Sequence, residues 1–279
     1  MNRKKHAISL FTKSPQPGVT KTRLTQAFGG PLTEIEAAQF YRATLLDVAD
    51  TIFNTLKICN ESANNRELYD FVISCTPEGE IARLQNLLRA EFTNAGPIRY
   101  IVDQGSNFDE HFNDHYRQLF NQGYSSVVCI GGDLPTVSPE FLRRAFQWLA
   151  YFDARSKRGG MVIAPCQAAG VSLVGLTATA NMDFTGVFYN QQGTAALEAI
   201  TRIAALRQIP MALLESLPDV DNTEDLAHTI AVLHAMAYAA SSQENISVPR
   251  RTLAWIQEKC LVVSTPPNEE HDPRGDIDS

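Results

Sequence analysis

Short apolar runs alternate with longer amphipathic stretches along most of this chain, and no other feature constrains its fold as strongly. The runs at 6–13 (with AISLF inside it), 69–75, 98–103, 126–131, 161–164, 172–176 and 211–217 predict strands. The stretches at 32–56, 80–92, 107–121, 138–154, 194–207 and 222–240 predict helices. Within the first of these, Leu45, Val48, Ala49, Ile52, Phe53 and Leu56 recur at helical spacing. Phe108, Phe112, Tyr116, Leu119 and Phe120 do the same in the third. Strands alternating with helices of this length mean βαβ units and a largely parallel sheet.

Local chemistry marks some boundaries. Ser138 is a hydroxyl N-cap followed by Pro139 at the first helical position, where the missing N–H costs nothing. Asn222, with Asp225 three residues later, caps another helix. After Ser241 the character changes: 249–260 predicts one more helix, with Leu253, Trp255 and Ile256 docking on the body. From Pro266 onward the tail is polar and acidic, with too little apolar surface to offset the entropy of ordering, so disorder is expected.

At 279 residues and 44% hydrophobic content, the chain can build one large core or two small ones. Its net charge of −7 argues against a nucleic-acid partner, which non-specific binding would recruit through basic residues. That balance hides an asymmetry, because residues 1–33 hold six basic residues and no acidic one. The cysteines (Cys59, Cys75, Cys129, Cys166 and Cys260) stand singly, which fits a reducing compartment. The N-terminal apolar run, Ala7 to Phe11, is too short for a secretory signal, and no run approaches the ~20 residues of a membrane span. A cytoplasmic protein is expected.

In open α/β sheets, ligands bind beyond the carboxyl ends of the strands. Three segments there are unusual. FTKSPQPGVTKTRL, Phe11 to Leu24, carries Lys13, Lys21 and Arg23, with Pro17 stiffening the loop and Gly18 permitting close backbone approach. Such a loop suits a diphosphate, although it lacks the second glycine of a Walker A motif. CIGGDLPTVSP, Cys129 to Pro139, places Asp133 after a buried strand and a glycine pair. Asp133 there either caps the turn or holds Mg²⁺ or Mn²⁺ against a diphosphate. LPDVDNTED, Leu217 to Asp225, clusters acids at a helix start, where the helix dipole favours them and where Asp219 or Asp221 could serve as a ligand. His111 and His115 are one helical turn apart among Asp109, Glu110 and Asp114, which predicts a solvated helical face.

Taken together, these segments resemble a known family. FTKSPQPGVTKTRL is similar to the F-x-K-x-P-x-x-G-x-x-K-T-R-L opening of bacterial GT-A-type glycosyltransferases of the arsenosugar-biosynthesis-like group. That group lies within the nucleotide-diphospho-sugar transferase superfamily. GGDLPTVSPEFLRRAF resembles its G-T-D-x-P-x-L segment, LVGL at Leu173–Leu176 its L-I-G-L strand, and DVDNTEDL its D-V-D-T-P-E-D-L. Gly193-Thr194 falls where the family has W-G-T. The resemblance implies a three-layer α/β/α sandwich with a mainly parallel mixed sheet. It implies a single nucleotide-sugar-binding domain over 1–243, a helical extension over 244–265 and a disordered acidic tail over 266–279.

It also implies that Lys13, Pro17, Gly18, Lys21, Thr22, Arg23 and Gln104 contact the nucleotide, and that Asp133 is catalytic and holds the metal, with Asp221 as a second metal ligand. The acceptor end departs from the pattern. Ala168 stands where the family has Asp, Val171 where it has Tyr, and Asn107–His111 (NFDEH) replaces D-L-G-x-R. Asp109, Glu110, His111, Gly193 and Thr194 are the acceptor-side candidates. Three functions remain open: sugar transfer from a nucleotide-diphosphate sugar to a small acceptor, nucleotidyl transfer from an NTP to a phosphorylated molecule, and non-catalytic binding on the same fold.

Overall fold

In the computed structural model, which describes residues 3–63, 66–93 and 95–263, seven strands form one sheet. They are β1 (Lys4–Phe11), β2 (Glu67–Ser74), β3 (Ile98–Ile101), β4 (Tyr124–Ile130), β5 (Met161–Pro165), β6 (Val171–Thr177) and β7 (Met211–Leu213). The helices are α1 (Glu34–Ser62), α2 (Gly79–Glu91), α3 (Phe108–Asn121), α4 (Pro139–Arg155), α5 (Ala196–Arg207), α6 (Thr223–Ala239) and α7 (Arg250–Glu258). The sheet order is β3-β2-β1-β4-β6-β5-β7. Only β6 runs against its neighbours, antiparallel to both β4 and β5, so the sheet is mixed and mainly parallel.

Strand parity divides the core into two layers. Ile8, Leu10, Phe71, Ile73, Val128, Ile130 and Val162 face α1, α2 and α4. Their odd-numbered or even-numbered neighbours Ala7, Val72, Val127, Cys129, Met161 and Ile163 face α3, α5 and the segment around Phe184. Successive side chains of a strand point to opposite faces, and a strand buried on both faces therefore reads as a continuous apolar run. The result is the α/β/α sandwich. At Gly175 on β6 an added Cβ would lie 3.2 Å from Leu149 Cδ1 of α4, so the absent side chain lets that helix approach the sheet.

Helix α1 begins two residues later than the apolar pattern predicts and runs further. Thr33 accepts from the Glu36 N–H, and the Glu36 carboxylate accepts from the Thr33 N–H. This capping box fixes the start. β7 is shorter than the 211–217 run. Beyond Leu213 the chain keeps only scattered bonds to β5, from Leu214 N–H to Ile163 O and from Leu217 N–H to Pro165 O. Helix α7 docks on α1, burying Trp255 and Ile256 beside Phe40. The tail at 266–279 and the last two positions of the 244–265 extension lie outside the described residues. Among the described residues, no helix is long and apolar enough to cross a membrane.

The expected solvated face of α3 is a correction. His115 is fully buried, and Asp109 and Asp114 are buried as well. His115 packs against Phe11, Phe112 and Tyr116. The sequence places acids around it, but they turn inward as hydrogen-bond acceptors. Asp109 accepts from the N–H groups of Gly186, Val187 and Phe188 at 2.7, 3.1 and 3.1 Å. Asp114 accepts from the Gln104 N–H at 2.7 Å and from the Gln118 amide.

Burial drives the His115 pKa down to about 3. The unfolded chain therefore takes up a proton below about pH 6.5 that the folded chain refuses until about pH 3. The stability contributed by the neutral ring is complete above pH 6.5 and is lost progressively as the pH falls. Between pH 7 and pH 5 the loss from this group is about 2 kcal/mol. Urea unfolding of His115→Leu at both pH values is expected to show a loss smaller than the wild type's by that amount. Identical losses in the two proteins would refute it.

Candidate functional site

The site is built where the sheet order reverses. β1 lies between β2 and β4: the chain steps from β1 through β2 to β3 on one side and then returns to β4 on the other. Leu10 of β1 pairs with Ile130 of β4, so the 12–25 and 131–138 segments leave the sheet side by side. β5 and β7 share the direction of β1 and β4, so the chain after β7 also reaches this end. It is drawn back toward β6 by the Ser172 hydroxyl, which donates to the Leu217 carbonyl at 2.5 Å. Three segments remote in sequence thus converge at the carboxyl ends, the general place for ligands in such sheets.

At their meeting point stands Lys21. Its Nζ lies 2.5 Å from Asp133 Oδ2 and 2.7 Å from Asp221 Oδ1. Its side chain is 8% exposed, against 21% for Asp133 and 46% for Asp221. The ammonium also lies 5.8 Å from the centroid of the Tyr41 ring, and the Tyr41 hydroxyl is 2.6 Å from Thr12 Oγ1. Burial alone would lower the lysine pKa, but Asp133 and Asp221 outweigh it and hold it above its ordinary value. Burial would raise Asp221, but Lys21 pulls it below the usual carboxylate range. Lys21 takes the left-handed conformation (φ 53°, ψ 38°), which costs a non-glycine residue about 1–2 kcal/mol. Its charge pairing at this point offsets the strain.

The glycine pair before Asp133 has a steric cause. A Cβ on Gly132 would lie 2.7 Å from Leu45 Cδ1 and 2.9 Å from the Tyr41 hydroxyl. One on Gly131 would lie 2.5 Å from Asp133 Oδ1. Glycine at both positions lets this turn lie against α1, with the Asp133 carboxylate folded back over the turn, without displacing Leu45, Tyr41 or Asp133 itself.

Two cavities open on either side of Asp133. The first, about 430 Å³, includes Lys13, Lys21, Thr76, Asp103, Asn107 and His111 in its lining. The second, about 460 Å³, includes Arg23, Cys166, Ser172, Tyr189, Asp219 and Asp221. Phe11, Tyr41, Phe108 and Asp133 line both. In the first cavity, His111 Nδ1 lies 2.8 Å from Asp103 Oδ1, and buried Asp103 accepts from the Ser74 hydroxyl at 2.7 Å. In the second, Asp219 has a pKa raised to about 6 by burial and by the neighbouring charges of Asp133 and Asp221.

Of the site candidates singled out in the sequence, Lys13, Lys21, Arg23, His111, Asp133, Asp219 and Asp221 line these cavities. Pro17, Gly18, Thr22, Gln104, Asp109, Glu110, Gly193 and Thr194 line neither. Gly18 takes φ 72° in the loop, and the Thr22 carbonyl accepts from Thr25 in the turn after Lys21. Glu110 accepts from Ser106 and Asn107 at the exposed start of α3. The Thr194 backbone is held by the Asn190 amide. Asp109 serves the 186–188 backbone instead of an acceptor.

Asp103, Tyr41, Phe108 and Tyr189 are among the lining groups that were not read as site residues from the sequence. Asp103 ends a predicted strand, so the carboxyl-end rule could have found it. Tyr41, Phe108 and Tyr189 carried only an apolar signal. The turn after β5, where Ala168 replaces an expected Asp, is organised by Gln167. Its amide donates to the Asp219 carbonyl and to Asp225 Oδ1, both at 3.1 Å, while its oxygen accepts from the Asp219 N–H at 3.2 Å. Ala168 and Ala169 both lie in the left-handed region there, at φ 52° and 56°.

A family model described as an uncharacterized protein conserved in bacteria (DUF2064) matches residues 60–191. No match is found among curated proteins. Among solved structures, the chain is similar to a Desulfovibrio desulfuricans protein provisionally described as a nucleotide-diphospho-sugar transferase, with 20% identity and a TM-score of 0.67. That match covers 91% of this chain and 95% of the other. A cytidylyltransferase from Leptospira borgpetersenii is similar at 10% identity with a TM-score of 0.50, covering 96% of this chain and all of the other. At these identities the likeness is one of fold, and the chain has the fold that these two proteins share.

Proposed function

We propose that this protein is a transferase that binds a nucleotide-diphosphate sugar and passes the sugar to a small acceptor. The observation that carries the reading is the pair of cavities meeting at Asp133, each large enough for one reactant. The nucleoside occupies the first cavity, among Phe11, Tyr41 and Phe108. The diphosphate lies at the junction, within reach of Lys13, Lys21 and Arg23. The acceptor enters the second cavity, whose lining is richer in carboxylates.

A divalent ion, Mg²⁺ or Mn²⁺, fits this arrangement. The oxygens of Asp133 and Asp221 already converge on one cationic nitrogen. Among the described residues no group of three or more His, Cys, Asp or Glu is placed to hold a metal alone. Two carboxylates without a third protein ligand suit an ion that takes its other oxygens from substrate phosphates. When bound, the ion would neutralise charge on the departing diphosphate. The chain's own cations would do the same from the loop after β1, and their preorganised positions cost no rearrangement as charge develops.

Calorimetry with UDP-, GDP-, CDP- and ADP-sugars, with and without Mn²⁺, tests the reading. At least one is expected to bind more tightly with the ion. Binding of none would refute it. The carboxylate pair also favours a second reading, nucleotidyl transfer from an NTP, because such a reaction uses a metal clamp on the same phosphates. Release of pyrophosphate from an NTP, without sugar transfer, would favour that alternative.

A further inference from the structure

We infer that Lys21 is a built-in counter-ion that keeps the divalent metal out of the Asp133–Asp221 pair until a diphosphate arrives. Lys21 is therefore the residue that sets the order of binding. The inference rests on the reading of Asp133 and Asp221 as metal ligands and adds what decides when they are available.

At the two oxygens that Lys21 holds, the geometry leaves no room for both cations. Lys21 Nζ is 2.5 and 2.7 Å from one oxygen of each carboxylate, which is direct contact. A Mg²⁺ ion held by the same two oxygens would need them at about 2.1 Å, so it would occupy the space of the ammonium. The lysine side chain is 8% exposed, so its charge is screened by little water. Arg23 adds positive charge 3.7 Å from Asp221 Oδ2. A metal approaching the free protein must therefore displace one buried cation near a second.

A diphosphate changes this balance. It offers its own oxygens to Lys21, on the side of the first cavity that Lys21 and Lys13 both line. The ammonium then turns to the phosphate, and the two carboxylates are released to the ion that the phosphates also ligate. Lysine and metal compete without the nucleotide and cooperate with it. Lys21 takes its left-handed backbone conformation with its side chain on the two carboxylates.

The test is a titration of Mn²⁺ into nucleotide-free protein, with free Mn²⁺ read by electron paramagnetic resonance. Lys21→Gln is expected to bind Mn²⁺ roughly tenfold more tightly than the wild type, a coupling of ordinary size. Lys21→Arg retains the charge and is expected to stay near the wild type. Lys21→Met serves as the second neutral variant should the first fold poorly. Adding Asp133→Asn to Lys21→Gln is expected to remove the gain, which locates the ion at this pair. Equal Mn²⁺ affinity in wild type and neutral variants, or binding by neither, overturns the inference. If the gain appears but no nucleotide sugar binds, the inference stands and the transferase reading falls. If a nucleotide sugar recruits Mn²⁺ to the wild type while the neutral variants show no gain, the transferase reading stands and the inference falls.

Discussion

Replacing Lys21 with Ala is expected to weaken binding of a nucleotide-diphosphate sugar by about two to three orders of magnitude. The size follows from truncating one partner of a desolvated charge pair, which costs about 2–5 kcal/mol. Lys21 is the most buried cation of the loop; it lines the first cavity and touches Asp133, which lines both, and Asp221, which lines the second. Arg23 is more exposed, so its truncation is expected to cost less. Calorimetry on Lys21→Ala and Arg23→Ala, with the nucleotide sugar that the wild type binds, measures the contrast. A Lys21→Ala loss no larger than the Arg23→Ala loss would refute the central position given to Lys21. Because the change also removes the counter-ion of Asp133 and Asp221, circular dichroism of each variant is needed to separate affinity from folding.

The second large effect concerns stability, at the middle of α1. Asp47→Ala is expected to lower the stability of the α7 dock by about 3 kcal/mol. α7 begins after Pro249, whose side chain makes no cap hydrogen bond. The first turn of any helix carries N–H groups with no intrahelical acceptor. Here Asp47 of α1 supplies the cap from outside. It accepts from the Arg251 N–H at 3.2 Å, and from the Thr252 N–H and hydroxyl, both at 2.8 Å. Thr252 is fully buried, so removing the carboxylate leaves its donors with no water to turn to. Burial raises the Asp47 pKa, and the bonds to Thr252 and Arg251 oppose the shift without cancelling it. Urea unfolding followed through the fluorescence of buried Trp255, together with amide exchange across α7, reads the effect. A loss under about 1 kcal/mol would show that apolar packing on Phe40 alone holds the helix.

Much of the fold was legible because strand burial and helix amphipathicity are written in local periodicity. The continuous apolar runs of β1, β4 and β5 read as strands buried on both faces, and they are. Helix starts at Ser138 and Asn222 were legible from one side chain each, since a cap acts within three residues. Side-chain direction was less accessible. α3 carries Asp109, Asp114 and His115 on an acidic stretch that local pattern assigns to solvent, yet all three are buried. Their burial depends on the backbone N–H groups of residues 186–188, on Gln104 and on Phe11, none of which is near in sequence except Gln104.

The cationic loop and the two acidic segments were visible as separate motifs. Local pattern alone set the strand and helix order, the concentration of positive charge before residue 34, and the glycine pair that leads to Asp133. Each of these is a local property of composition or spacing. That Lys21, Asp133 and Asp221 meet at one point, although 200 residues separate the first from the last, is a product of the folded chain. The sheet order did this, by placing β1 beside β4 and returning the chain after β7 to the same end. Charge attraction between such groups is screened beyond about 10 Å in a solvated chain, so no sequence pattern records which carboxylates a given lysine will find.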